Sequence, residues 1–272
     1  MFKEFNHIGI MVKDIRASLK FYQENFGAVF SRGLYIPASH TAGAYVQIGA
    51  NMLEFLCPLA PDSNTQYGIT HFGFIVDDIE AEAYNLMGKG YKFDVYPKKA
   101  GSGAGKIAFL TDPNGAKIEL IERVETLTLP DWSPTEDVLG FDHASVYAEN
   151  LEAAIDFYTK DLGFNVVHNI HVGKDRNFSM VYMNFGKKIL ELLHNDNKPN
   201  SGPLMGHIAL LVKDTRKLYE KLTAKGVQAN SEPRQLATGN GNVCNMKDPD
   251  GIGVEIIDRP SLFEMKKIIG EI

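Results

Sequence analysis

The stretch NHIGIMVKDIRASLKFYQENFG (6–27) joins a β-strand to an amphipathic helix. Its first seven residues alternate, which places His7 on one face of the strand and the apolar Ile8 on the other. Asp14 occupies an N-cap position, an apolar stripe follows at helical spacing, and Gly27 suits the C-terminal cap. The stretch therefore predicts a strand that passes directly into a helix.

The opening of this strand occurs three more times, each time with histidine in second position. The copies are THFGFIV (70–76), DHASVYA (142–148) and GHIALLV (206–212). Each copy is followed by a helical pattern and three shorter strand-like runs, and the last run carries one glutamate. These runs are MLEFL (52–56), KIELI (117–121), ILELL (189–193) and GVEII (253–257). The chain is predicted to contain four βαβββ modules.

Modules one and three, and modules two and four, are related by a nearly constant offset of 136 or 137 positions. The equivalent pairs are His7 and His143, His71 and His207, Glu54 and Glu191, and Glu119 and Glu255. A duplicated pair of modules explains this offset. Each half is therefore predicted to be one α+β domain that holds two histidines and two glutamates.

Length and composition set the broad class. A chain of 272 residues fits two domains, and its net charge of −6 disfavours nucleic acid as a partner. The two cysteines lie in unrelated modules, which favours a reducing compartment, and no stretch reaches the ~20 apolar residues of a membrane span. We expect a cytoplasmic protein that binds neither nucleic acid nor membranes; monomer and homodimer both remain open.

The predicted boundaries follow from the module pattern. Residues 1–124 form the first domain, 125–140 a linker with prolines and the only tryptophan, and 141–260 the second domain. Residues 261–272 are predicted to form a C-terminal helix, and the second strand of the fourth module is expected near 227–230. The glycine-rich segment KKAGSGAGK does not match a phosphate-binding loop and is expected to form a loop at the mouth of the first sheet.

The histidines and glutamates lie on strand faces opposite the residues that pack on the helices. A single histidine or glutamate on a strand is more often structural, but four pairs at matched offsets would leave several buried carboxylates without partners. Imidazole and carboxylate groups together suit a divalent metal such as Ni, Co, Zn, Mn or Fe. Four protein ligands leave coordination positions open for a substrate, as metal-assisted catalysis requires.

The motifs HIGIMVKDIRASLKFYQENFG, HFGFIVDDIEA, IAFLTDPNGAKIELIE and GHIALLVKD resemble those of the vicinal oxygen chelate superfamily. That superfamily includes glyoxalase I, methylmalonyl-CoA epimerase, extradiol dioxygenases and drug-resistance proteins. The resemblance covers nearly the whole chain. It implies two tandem glyoxalase-like domains, each a cupped mixed sheet with its helices outside.

Within this superfamily, the order and spacing of the quartets are most similar to glyoxalase I of the bacterial type. The resemblance implies a metal, with Ni, Co or Zn ahead of Fe or Mn, and eight ligands: His7, Glu54, His71, Glu119, His143, Glu191, His207 and Glu255. It also implies that the four glutamates are catalytic, removing and returning a carbon-bound proton through an enediolate. The expected substrate is a small oxygenated compound, such as a thiol adduct or a CoA ester.

Some positions depart from the glyoxalase I pattern. Its glutathione-binding arginine and asparagine correspond here to Met11 and Pro58 in the first half, and to Tyr147 and Asn195 in the second, so that only Asn195 matches.

Two other functions also remain open. The first is an iron-dependent extradiol dioxygenase using His143, His207 and Glu255, although the histidine and tyrosine expected before its DP motif are absent. The second is a non-catalytic drug-binding protein.

Overall fold

A computed structural model describes residues 1–123, 127–129, 132–172, 177–197, 204–237 and 239–260. The predicted C-terminal helix at 261–272 lies outside the described residues, as do four positions of the predicted linker. No helix in these ranges is long and apolar enough to cross a membrane.

Each half of the chain forms one eight-stranded mixed sheet, which confirms the predicted α+β class and tandem arrangement. The strands of the first sheet are β1 (Phe2–Met11), β2 (Val29–Ile36), β3 (Thr41–Ile48), β4 (Asn51–Pro58), β5 (Gly68–Val76), β6 (Phe93–Lys99), β7 (Lys106–Thr111) and β8 (Lys117–Glu122). Those of the second are β9 (Val138–Tyr147), β10 (Asn165–Val172), β11 (Phe178–Phe185), β12 (Lys188–Asn195), β13 (Met205–Val212), β14 (Arg234–Gln235), β15 (Asn242–Lys247) and β16 (Gly253–Asp258).

The two modules of each half join through their first strands. The strand order is β2-β3-β4-β1-β5-β8-β7-β6 in the first sheet and β10-β11-β12-β9-β13-β16-β15-β14 in the second. The central strands β1 and β5 pair antiparallel, whereas β1 pairs with β4 and β5 with β8 in parallel. Both histidine strands therefore lie at the centre of the sheet, flanked by the glutamate strands, and each quartet assembles within one half.

Four helices connect the first and second strands of the modules. They are α1 (Ile15–Phe26), α2 (Ile79–Gly88), α3 (Leu151–Asp156) and α4 (Thr215–Ala224). The side chains of Asp14, Asp78, Asn150 and Asp214 accept hydrogen bonds from backbone N–H groups of the first turns, as expected of N-caps. Gly27 ends α1 in the left-handed conformation at φ 67°, which also confirms its predicted role.

The outer face of each sheet supplies the core. Ile8, Phe55, Phe72 and Ile118 are fully buried in one cluster, against which residues of the helices pack. Alternation then turns the intervening residues toward the concave face. The hydrophobic packing of the helices thus determines which side chains line the concave face. We call the concave face of the first sheet (β1–β8) the first cup and that of the second sheet (β9–β16) the second cup.

The halves pack through two equivalent contacts between a helical tyrosine and a hairpin aspartate. The Tyr22 hydroxyl in α1 donates to Asp248 of the DPDG turn at 3.2 Å, and the Tyr158 hydroxyl donates to Asp112 of the DPNG turn at 3.0 Å. Module one is thereby joined to module four, and module three to module two. The duplication therefore produces a pseudo-symmetric interface as well as two sheets.

Two predicted positions differ in the structure. Strand β9 begins at Val138, three residues before the predicted start of the second domain, because Val138 is buried and pairs with Val212 of β13. The strand expected near 227–230 is reduced to an isolated bridge between Ala229 and β15, flanked by backbone hydrogen bonds of Gln228 and Asn230, and regular pairing begins at Arg234. Pro233 lies between these paired segments and has no backbone N–H to donate.

Candidate metal centres

The first quartet converges on one point of the concave face. His7 Nε2 lies 3.3 Å from Glu54 Oε2 and 3.3 Å from Glu119 Oε2. His71 Nε2 lies 3.3 Å and 3.5 Å from the same two oxygens, and the two Nε2 atoms are 3.1 Å apart. All four side chains are buried. The structure therefore groups the four residues that the first-half pattern singled out.

The orientation of the His7 ring is determined by a chain of hydrogen bonds. Arg123 Nη2 can only donate, and it donates to Asn6 Oδ1 at 2.6 Å. The same oxygen lies 3.1 Å from His7 Nδ1, which must then carry the proton. Because Nδ1 holds the proton, the Nε2 lone pair of neutral His7 is available to a metal.

His71 is oriented by a hydroxyl. Thr70 Oγ1 donates to the Gly9 carbonyl at 3.2 Å and lies 3.0 Å from His71 Nδ1, so that its oxygen accepts from that nitrogen. The Nε2 lone pair again remains free on the side of the quartet. Gly9 leaves space for the ring, because a Cβ at this position would overlap the imidazole.

The second quartet is more open. His143 Nε2 lies 3.2 Å from Glu191 Oε2, His207 Nε2 lies 3.5 Å from it, and the two Nε2 atoms are 3.1 Å apart. Glu255 is farther away, with 3.9 Å to each histidine, and its side chain is 17% exposed. The structure thus groups three of the four predicted residues tightly and leaves Glu255 at the margin.

The surroundings of the second quartet carry one more charge. His143 Nδ1 lies 2.6 Å from Asp142 Oδ1, which also accepts from Arg259 Nη2 at 2.7 Å. Asp142 is equivalent to Asn6, and Arg259 is equivalent to Arg123. A buried ion pair therefore replaces the neutral amide contact of the first cup.

Burial and mutual contact shift the pKa values of both quartets. Burial alone would lower the pKa of His71, but the hydrogen bonds that its protonated ring donates to the Glu119 and Glu54 carboxylates outweigh burial and raise that pKa to about 10. A metal ion bound at Nε2 would replace this proton. Burial would raise the pKa of Glu54 and Glu119, yet the two histidines lower both. Both carboxylates of the first cup are therefore held in the ionised form.

The second cup differs in one carboxyl group. Contacts to His143 and His207 lower the pKa of Glu191 despite its burial, whereas burial dominates at Glu255 and raises its pKa. The two imidazoles lower the pKa of Glu255 too little to offset its burial, because each lies 3.9 Å from this carboxyl group.

The donor sets fit a divalent metal ion. Two imidazole nitrogens lie 3.1 Å from each other and 3.3–3.5 Å from the oxygens of two ionised carboxylates, a mixed donor set that suits Zn, Ni, Co, Fe or Mn. Two buried carboxylates in one site would destabilise the fold unless a positive charge lay between them. The first cup supplies all four donor groups, whereas the second supplies two imidazoles and one carboxylate.

A cavity of about 380 Å³ opens onto the first quartet. Its wall includes Glu54, Glu119, Arg123, Tyr45 and Phe109. Residues of the glycine-rich segment also border it, as predicted for a loop at the mouth of the cup: Ala100, Gly101, Ser102 and Ala104. The cavity is large enough for a small-molecule substrate whose reacting atoms face the quartet.

Sequence reasoning missed the residues that orient the ligands. The Tyr45 and Tyr182 rings lie edge-on to His7 and His143, at centroid distances of 5.6 Å and 5.5 Å. These tyrosines are 137 positions apart, and Arg123 and Arg259 are 136 apart. The same duplication offset would have identified both pairs.

The model of the Glyoxalase/Bleomycin resistance protein/Dioxygenase superfamily matches residues 4–120 and again 140–256. The chain belongs to this superfamily, with one copy of the domain in each half. This confirms the resemblance seen in the sequence.

Proteins of known sequence and structure resemble the chain over nearly its full length. A lactoylglutathione lyase of Schizosaccharomyces pombe is 28% identical over 94% of this chain and 96% of its own length. A probable chloroplastic lactoylglutathione lyase of Arabidopsis thaliana is 27% identical over 90% of this chain and 70% of its own length. A variant of 4-hydroxymandelate synthase from Streptomyces coelicolor shares the fold with a TM-score of 0.67 at 17% identity, over 96% and 94% of the two chains. The expectation of an enzyme is confirmed.

Proposed function

We propose that the chain is a divalent-metal-dependent lyase of the glyoxalase I type and that the first cup is its reaction centre. The observation that carries the proposal is the quartet beside a cavity of about 380 Å³, in which the Nε2 atoms of His7 and His71 each lie 3.1–3.5 Å from the other three donor atoms. The similarity to lactoylglutathione lyases supports the reaction class. We expect Ni, Co or Zn ahead of Fe or Mn, and a small thiol adduct as substrate.

The residues of the first cup can move a proton between neighbouring carbons. When bound, a divalent cation supplies a Lewis acid that stabilises negative charge on two adjacent substrate oxygens. Glu54 and Glu119 are held ionised, so either can accept the carbon-bound proton. The glutamic acid formed in this way then returns the same proton to the adjacent carbon. Burial and the neighbouring Glu54 carboxylate raise the pKa of Tyr45, so that its hydroxyl stays protonated beside this carboxylate. The buried walls of the cup keep water away from the intermediate.

The first test combines elemental analysis with turnover. Purified protein is assayed for bound metal and for formation of S-lactoylglutathione from methylglyoxal and glutathione. We expect Glu54→Gln to lose the metal of the first cup and to lower turnover by about 10²- to 10⁴-fold, because it removes both a ligand and a candidate base.

The matched control is Glu191→Gln, the equivalent change in the second cup. We expect it to keep the metal of the first cup and most of the turnover. Loss of activity only in Glu191→Gln would instead assign the reaction to the second cup. A wild-type protein with neither metal nor turnover would contradict the proposal.

The dioxygenase alternative receives less support from the geometry. It requires His143, His207 and Glu255, but the structure groups the two histidines with Glu191 and leaves Glu255 0.4 Å or more farther from them. The similarity in fold to enzymes of other activities does not separate these reactions.

A further inference from the structure

Arg123 follows β8 directly and contributes to the wall of the first-cup cavity. Its Nη2 donates to Asn6, its Cζ lies 5.7 Å from the centre of the Tyr45 ring, and its Nε is buried without a hydrogen-bond partner. Within the described part of the chain, no carboxylate lies within ion-pair distance of its guanidinium. A cation in this position gains stability from any anion that enters the cavity.

Arg259 is the equivalent residue of the second cup and has its counter-ion in place. Its Nη2 is 2.7 Å from Asp142 Oδ1, and its Cζ lies 5.1 Å from the centre of the Tyr182 ring. The side chains of Arg259 and Asp142 are 4% and 3% exposed, so the pair is buried. The two arginines therefore differ chiefly in the partner beside the histidine, which is asparagine in one cup and aspartate in the other.

This single difference changes the net charge of the two cups. A divalent cation would balance the two ionised glutamates of the first quartet, and the charge of Arg123 would then have no counter-ion among the residues that the structure describes. In the second cup, Asp142 cancels the charge of Arg259. Because a low-dielectric cavity strengthens such an imbalance, the first cup favours an anionic ligand more than the second does.

We propose that Arg123 binds a carboxylate of the substrate and makes the first cup selective for anionic thiol adducts. This proposal rests on the proposed function and names the substrate class of the same site. The positions that the glyoxalase I pattern uses for such recognition carry Met11 and Pro58 here, and neither side chain can bind an anion. Arg123 supplies the missing positive charge from the other end of the sheet.

The test compares two adducts of methylglyoxal on the metal-loaded full chain. One is formed with glutathione, which carries two carboxylates, and the other with uncharged 2-mercaptoethanol. A Glu191→Gln background removes any contribution of the second cup. We expect Arg123→Gln to raise KM for the glutathione adduct about 10- to 100-fold, the loss of one charge-assisted hydrogen-bonding group. KM for the uncharged adduct should rise far less.

Two further variants separate charge from structure. Arg123→Lys keeps the charge and should recover part of the lost selectivity. Asn6→Asp introduces the counter-ion of the second cup and should lower selectivity while Arg123 is still present. Its metal content is measured in parallel, because Asn6 also contacts His7.

Equal losses for the two adducts in Arg123→Gln would overturn the role of Arg123 and leave the lyase proposal intact. Turnover of neither adduct by the wild type would instead overturn the lyase proposal. In that case, calorimetric titration with S-methylglutathione still tests Arg123. Equal affinity of the wild type and Arg123→Gln would then contradict the inference, and weaker binding by the variant would support it.

Discussion

The two cups share one backbone plan but differ in how their quartets are held. In the first, all four donor groups lie within 3.5 Å of a neighbour, and a neutral amide orients His7. In the second, Glu255 stands 3.9 Å from both histidines, and an ionised aspartate orients His143. The duplication therefore preserved the types of metal-donor residue, whereas the charges of the residues around them diverged.

The cups also hold their second histidines with different residues. In the first, the hydroxyl comes from Thr70, next to His71 in the chain. In the second, it comes from Ser145 on the neighbouring strand, 2.8 Å from His207 Nδ1. Ser145 is the equivalent of Gly9, and Gly206 is the equivalent of Thr70. The same contact to Nδ1 is thus kept although the hydroxyl has changed strands.

The largest expected difference between the cups concerns the second glutamates. Glu119→Gln should lower turnover by about 10²- to 10⁴-fold, because it removes an ionised carboxylate from the reaction centre. Glu255→Gln should lower it less than about tenfold, since Glu255 lies at the margin of its quartet. Steady-state kinetics of the two variants measure this ratio. Loss of only about half of the activity in each variant would instead indicate two equivalent active sites, because each variant would leave the other site working.

Asp142→Asn should destabilise the second half by copying the first-cup residue into it. The substitution leaves the buried guanidinium of Arg259 without its counter-ion, which typically costs about 3–5 kcal/mol. Chemical denaturation followed by circular dichroism gives the change in unfolding free energy. A loss below about 1 kcal/mol would mean that the two arginines experience equivalent surroundings and would weaken the charge argument for Arg123.

The smallest expected effect concerns the glycines beside the second histidines. Gly9→Ala places a methyl group against the His71 ring and should lower the unfolding free energy by about 1–3 kcal/mol. Gly206→Ala is the matched control. Its added carbon would lie 2.7 Å from Ser145 Oγ, which also contacts His207, so a small shift of one side chain is needed and we expect a smaller loss than at Gly9. Equal losses would show that the two rings are equally confined.

Much of the fold could be predicted because its signals are local. The caps Asp14 and Gly27 lie where the sequence predicted them, and each of the four histidine strands is followed by a helix, as predicted. The edge strand of the fourth module was misplaced, because edge pairing depends on which backbone groups remain free, and Pro233 removes one donor there. Local sequence patterns thus predicted the helices and strands, but not the positions at which every edge strand pairs.

The four modules, the duplication and the eight histidines and glutamates could be predicted from the amino-acid sequence, because period-2 alternation and a constant offset are visible in it. That each quartet assembles within one half is seen only in the tertiary structure, because the spacing of residues along the chain does not show which modules pair through their first strands. The tertiary structure alone also showed the unequal position of Glu255 and the Arg123 and Arg259 contacts. The position of Glu255 and the contacts of the two arginines depend on distances between strands that are far apart in the chain. In a buried cup, exchanging one asparagine for an aspartate adds a negative charge that acts on all of its neighbours.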